Sequence, residues 1–132
     1  IVPADAFYEW DRSHRPPQPY AIGLASGEPL ALAGLWTQTK GGEFITAAIL
    51  TTGPNQQTER LHHRMPVILE RDHVDAWLAP DATLDEIAPL LGPAPDDSLR
   101  IWPVSTAVNS VRNDGPELLQ PVEGVPASLG LV

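Results

Sequence analysis

A carboxylate set among aromatics, Phe7-Tyr8-Glu9-Trp10, and a basic cluster, His62-His63-Arg64-Met65-Pro66, hold the densest chemistry in the chain. An imidazole titrates near neutrality and suits proton transfer, and a guanidinium presents the planar fork that fits a phosphate. Glu9 is the complementary acid. On an extended strand it faces away from Tyr8 and Trp10, and in a turn all three crowd together. Either environment is partly apolar, which raises a carboxyl group toward the range useful for general acid and base work.

Other chemistries fit less well. Glu9, His62 and His63 could offer oxygen and nitrogen ligands to zinc, but adjacent histidines on an extended chain point to opposite faces. Neither a His-x-x-x-His spacing nor a cysteine pair supports such a site. A serine hydrolase would need a Gly-x-Ser-x-Gly elbow, and phosphate-cradling glycine loops are also missing. No metal and no cofactor are expected. Taken alone, His62 reads as a surface or structural histidine, Glu9 as an exposed strand carboxylate and Trp10 as core; His63 reads as solvent-facing. Trp36 and Trp77 are assigned to packing.

The order of motifs along the chain is more specific than any one of them. Val2-Pro3-Ala4-Asp5-Ala6-Phe7-Tyr8-Glu9-Trp10 is followed by Ala33-Gly34-Leu35-Trp36, Ile49-Leu50-Thr51-Thr52 and His62-x-Arg64-Met65-Pro66. Pro103-Val104-Ser105 with Val108-Asn109 come last. In this order they resemble the SOS response-associated peptidase (SRAP) family of abasic-site processing proteins. The resemblance implies recognition of abasic sites in single-stranded DNA and their capture as a thiazolidine by an N-terminal cysteine. It also implies autocatalytic removal of the initiator Met, and lyase or crosslink-reversal chemistry. Glu9 and His62 then become the catalytic pair. Trp10, Arg64, Thr51 and Asn109 become the DNA-binding residues: Trp10 by stacking, Arg64 through a phosphate, Thr51 and Asn109 as weaker hydrogen-bonding groups.

One part of that pattern is missing. The chain opens at Ile1 and contains no cysteine at all. It therefore resembles the C-terminal part of a SRAP domain, without the nucleophile. The literal chain is expected to be inactive alone, and the alternative is a non-enzymatic single-stranded DNA-binding remnant or an incomplete fragment.

Length and charge set further bounds. With 132 residues the chain fits one domain, with residues 121–132 expected as a mobile tail. The absence of cysteine is compatible with a cytoplasmic, bacterial-type protein, associated with the nucleoid when DNA-bound. Neither a membrane span nor a secretion signal is expected, and the chain is expected to be a monomer. A net charge of −9 opposes the usual footprint of a nucleic-acid binder. The acids are unevenly placed, however: residues 1–71 are close to balanced, and the excess lies in residues 72–132. DNA contact should use the first half plus Arg112.

These residues must be positioned by an α+β fold, mainly an irregular, barrel-like antiparallel sheet with a few short helices. Tyr20 to Leu24, Leu30 to Thr37 and Phe44 to Thr52 read as strands between Gly- and Pro-rich turns, with Val67 to Leu69 and Leu99 to Val104 as shorter ones. Pro103 predicts that the last is an edge strand or a strand end. Asp72 reads as the N-cap of a helix through Leu78, with Val74, Trp77 and Leu78 on its inner face. A second helix spans Thr83 to Leu91, with Leu84, Ile87 and Leu90 or Leu91 inward and Pro89 shortening it. Fifteen prolines argue against anything longer.

Overall fold

Pro19 to Gly23 are buried without interruption, the pattern of a strand covered on both faces. They lie in β3 (Gln18–Leu24), the middle of a three-stranded antiparallel sheet. β2 (Phe7–Asp11) flanks it on one side and β9 (Leu99–Pro103) on the other, so Pro103 does end an edge strand. Glu9 stands opposite Tyr20, and Tyr20 opposite Pro103. The computed structural model describes residues 1–125.

Three two-stranded antiparallel sheets complete the strand inventory of the described residues. β1 (Val2–Ala4) pairs with β4 (Leu30–Leu32), β5 (Gly34–Gln38) with β6 (Ile45–Ile49), and β7 (Thr51–Thr52) with β8 (Met65–Pro66). The run expected as one strand from Leu30 to Thr37 therefore serves two sheets. It changes partner at Ala33, whose N–H donates to Val67 and whose carbonyl accepts from Leu50, both at 2.9 Å. The run from Phe44 to Thr52 divides at Leu50 for the same reason. Val67–Leu69, expected as a strand, forms only an isolated bridge, Ile68 opposite Leu32, with the Val67 N–H donating to the Leu50 carbonyl at 2.9 Å. The regular pairing falls just before it, at Met65–Pro66.

The helical insertion differs from expectation in detail. Asp72 is no N-cap but lies inside a 3-10 turn, Arg71–His73, which leads into α1 (Val74–Leu78). Val74 and Trp77 pack against Ala33, Val67 and Leu69, whereas Leu78 is exposed. Leu78 is the last helical residue, and the chain turns extended at Ala79 directly after it. α2 (Leu84–Ile87) starts at Thr83 with a reciprocal capping box to Glu86 and passes into a 3-10 turn, Ala88–Leu91, where Pro89 enters. Leu90 and Leu91 face the core as expected, but Leu84, in the first helical position, is exposed. Trp36 is also a correction: its side chain packs on nothing sufficient to cover it and is 72% exposed.

The main core joins Tyr20, Ile22, Leu30, Leu32, Leu61, Met65, Ile68, Ala94 and Leu99. It supports the site directly, since Leu61 and Met65 bracket the histidine loop. At the far end, Pro121 bridges to Val104 and the Val122 N–H donates to Pro103 at 3.0 Å. Of the stretch expected as a tail, residues 126–132 lie outside the described residues.

Candidate active site

Glu9 sits in the centre of β2, and His62 closes a turn that follows Asn55. Although 53 positions separate them, Glu9 Oε1 lies 3.8 Å from His62 Nδ1. Each is placed by the core. Glu9 is fixed by its strand register opposite buried Tyr20. His62 is held by backbone bonds from Leu61 and His62 to the Thr58 carbonyl, 2.9 and 3.1 Å. Thr58 is itself buried and donates its hydroxyl to Asn55 Oδ1 at 3.0 Å, and Asn55 reaches across to the Ala94 carbonyl at 3.2 Å. Asn55 and Thr58 are supporting residues that the sequence motifs missed. Their only signal is Gly53-Pro54-Asn55, a turn opening with an Asn whose side chain can satisfy the turn's own backbone.

The electrostatics favour a carboxyl group that keeps its proton longer than usual. Partial burial pushes Glu9 up, and the charges of His62, Arg12 and His63 together with the Trp10 backbone hydrogen bond offset this only in part. His62 Nδ1 faces both backbone groups of Arg64, the N–H at 3.2 Å and the carbonyl at 3.0 Å. Unprotonated Nδ1 can accept from the N–H, and protonated Nδ1 can donate to the carbonyl. The ring thus has a partner at this nitrogen in either state. At 3.8 Å, Glu9 and His62 interact through charge rather than a direct hydrogen bond.

The four remaining candidates fall into two pairs, one on each side of this couple. Arg64 donates from Nε to the Thr51 hydroxyl at 3.2 Å, from Nη2 to the same hydroxyl at 2.9 Å, and from Nη2 to the Thr51 carbonyl. One edge of the guanidinium is thereby fixed on β7. Trp10 donates its indole N–H to Asn109 Oδ1 at 2.7 Å, a contact across 99 positions. Asn109 ends the 3-10 turn Thr106–Asn109, which Ser105 caps by accepting from the Ala107 N–H. Contacts link four of them in a row, Glu9 to His62, His62 to Arg64 and Arg64 to Thr51, whereas Trp10, the next residue of β2, turns to the opposite face of the strand and there pairs with Asn109.

His63 is exposed, but it does not turn away from its neighbour. The two imidazole rings lie 4.3 Å apart between centroids, tilted by 36°, because this stretch is a bend rather than extended strand. Among the described residues no group of three or more His, Asp or Glu side chains is arranged to hold a metal ion. A cavity of about 410 Å³ lies elsewhere, lined by Leu24, Ala31, Ile68, Val74 and the ion-paired Glu28 and Arg71. It includes none of the six.

Small antiparallel sheets that bring a carboxylate, an imidazole and a clamped guanidinium into successive contact define an α+β protein with an open site. Comparison with known proteins makes this specific: the chain belongs to the SOS response associated peptidase (SRAP) family, whose model matches residues 1–111. All six site residues lie in the matched region. A relative from Bacillus subtilis, the abasic site processing protein YoqW, is 41% identical over 125 residues, covering 91% of this chain and 56% of its own length. The abasic site processing protein HMCES of Gallus gallus is 36% identical over 151 residues, covering 96% of this chain and 44% of its own. A crystal structure of a Bacteroides thetaiotaomicron protein superposes with a TM-score of 0.82 at 29% identity, over 92% of this chain and 56% of that one. The chain spans about half the length of the curated relatives it matches.

Proposed function

We propose that this chain supplies the proton-transfer and strand-holding part of an abasic-site processing protein acting on single-stranded DNA. The observation that carries the proposal is the approach of Glu9 to His62, 3.8 Å, within the region matched to the SRAP family. An abasic sugar exchanges between a ring-closed hemiacetal and an open aldehyde, and only the aldehyde is electrophilic. His62 exchanges a proton with the sugar oxygen as the ring opens, a task for which a group able to bond at Nδ1 in both protonation states is suited. Glu9, whose burial favours the protonated carboxyl, gives a proton to the aldehyde oxygen as a nucleophile adds to the carbon, and its carboxylate takes up the proton that the nucleophile releases.

The flanking pairs orient the strand. Trp10, its ring held by Asn109, offers a stacking surface to the bases on the face of β2 away from Glu9. Arg64 has Nε and Nη2 engaged by Thr51 and presents the rest of its guanidinium to a backbone phosphate. Thr51 and Asn109, expected as direct hydrogen-bonding groups for DNA, are better assigned as residues that hold Arg64 and Trp10.

Covalent capture in the family's manner needs an amine and a thiol on one residue, and these 132 residues contain no cysteine. This favours a second reading for the chain as it stands: a non-covalent binder of abasic single strands, with peptidase and lyase steps requiring what it lacks. Electrophoresis under denaturing conditions after incubation with an abasic single-stranded oligonucleotide tests the assignment. No surviving protein–DNA band is expected. A stable adduct with this chain would mean that the nucleophile is not a cysteine and would overturn the mechanism.

A further inference from the structure

The turn that joins β2 to β3, Arg12-Ser13-His14-Arg15-Pro16-Pro17, carries two arginines and a histidine, and no acid occurs between Asp11 and Glu28. In a chain with a net charge of −9 this is a local reversal of sign. The turn is tied internally. Asp11, the last residue of β2, directs both carboxylate oxygens to it: Oδ1 accepts from the Ser13 N–H at 2.8 Å, and Oδ2 lies 3.2 Å from His14 Nδ1. Arg15 folds back and donates from Nη1 to the Arg12 carbonyl at 3.0 Å. Arg12 differs from both. It is exposed, and among the described residues no hydrogen bond or salt bridge engages its guanidinium. Its charge nevertheless reaches the site: burial raises the Glu9 carboxyl, and Arg12 stands second, after His62, among the charges that draw it back.

We infer that Arg12 is a second phosphate-binding residue, and that Arg12 and Arg64 hold the DNA backbone on opposite sides of the abasic nucleotide. The inference rests on the assignment of Glu9 and His62 to the abasic sugar. Position supports it. Arg64 reaches the couple from the His62 side, two residues along the same loop and fastened to Thr51. Arg12 reaches it from the Glu9 side, three residues along the chain, which is about 10 Å of extended backbone. A sugar seated between Glu9 and His62 has a phosphate on each side, and a guanidinium then stands toward each. Chemistry supports it as well. An exposed guanidinium without a protein partner keeps its fork of donors for a phosphate, and a turn already tied by Asp11 and Arg15 has less freedom to lose when a strand binds. Arg15 is less suited to the contact, because its Nη1 is engaged by the turn's own carbonyls, those of Arg12 and His14 at 3.0 and 3.4 Å.

The test uses the full chain and three single-stranded oligonucleotides: one with an abasic site flanked on both sides, one with the flank on the 5′ side only, and one with the flank on the 3′ side only. Fluorescence anisotropy is read at several salt concentrations. Arg12→Ala should weaken binding of the two-flank strand roughly fivefold and make the slope of log affinity against log salt shallower by about 0.7, the contribution of one phosphate on a single strand. On the one-flank strands the variants should part: Arg12→Ala weakens one and spares the other, and Arg64→Ala does the reverse. The urea midpoint of Arg12→Ala should be unchanged, since its guanidinium has no bonded partner to lose. Lys40→Ala, which removes a cation from the turn between β5 and β6, should leave all three affinities in place. Equal losses in Arg12→Ala and Lys40→Ala would overturn the inference in favour of diffuse charge attraction. Losses on the same one-flank strand for both arginine variants would overturn the opposite placement, and unchanged binding by Arg12→Ala would overturn the contact outright. If the unaltered chain binds none of the strands, the proposed function itself fails and this inference with it.

Discussion

Replacing Thr51 by Val keeps the side-chain volume and removes only the hydroxyl that accepts from Arg64 Nε and Nη2 at 3.2 and 2.9 Å. Hydrogen bonds of this kind contribute about 0.5–1.5 kcal/mol each, and exposure places these toward the lower end. The Thr51 carbonyl continues to hold Nη2, so the guanidinium loosens rather than detaches. A net loss of about 1 kcal/mol in holding Arg64 corresponds to roughly fivefold weaker binding of single-stranded DNA. Fluorescence anisotropy with a labelled oligonucleotide reads this, and urea unfolding should show little change in midpoint. The decisive comparison is a double-mutant cycle. If Thr51 acts only through Arg64, Thr51→Val should have no further effect in an Arg64→Ala background. Additive losses would mean that Thr51 contacts the strand itself. An unchanged affinity in the single variant would refute the clamp altogether.

Other expectations follow from the same geometry. Arg64→Ala should weaken binding across all sequences and make the slope of log affinity against log salt shallower by about 0.7–1, checked by titration at several salt concentrations. Ile22→Ala, at a fully buried position of β3, should cost about 2–5 kcal/mol in urea unfolding. Leu84→Ala, at an exposed position, should stay within about 0.5 kcal/mol. Because burial raises the Glu9 carboxyl in the folded state, folding favours its protonated form. Its contribution to stability is fully present below the ordinary glutamate value and is lost as pH rises through the raised one. Glu9→Gln, neutral throughout, should therefore flatten the fall in unfolding midpoint over that window; a steeper fall would contradict the sign of the shift.

The candidate site was legible where residue types stand out from those a fold alone would select. A carboxylate among aromatics and an imidazole two positions from an arginine are such choices, and the family pattern fixed their order along the chain. What the sequence could not give was partnership. Nothing local to Thr51 says that its hydroxyl turns to Arg64, nor does anything near Asn109 reveal Trp10 at 2.7 Å, because these contacts arise from the way distant strands meet. Strand runs were legible from apolar patterning, but their division at Ala33 and Leu50 was not. An unbroken apolar run looks the same whether it serves one sheet or two. Leu78, Leu84 and Trp36 are large apolar side chains that read as inward, but Leu78 ends α1, Leu84 begins α2 and Trp36 lies on a hairpin that no third strand joins among the described residues.

The most direct measurement of the central claim compares the affinity of this chain for a single-stranded oligonucleotide containing one abasic site with that for the same strand intact. The abasic strand is expected to bind more tightly. His62→Ala and Glu9→Gln should remove that preference while leaving the intact-strand affinity in place, because the proposed phosphate contact is made by Arg64. Equal affinities for the two strands in the unaltered chain, or a preference that survives both substitutions, would contradict the assignment of Glu9 and His62 to the abasic sugar.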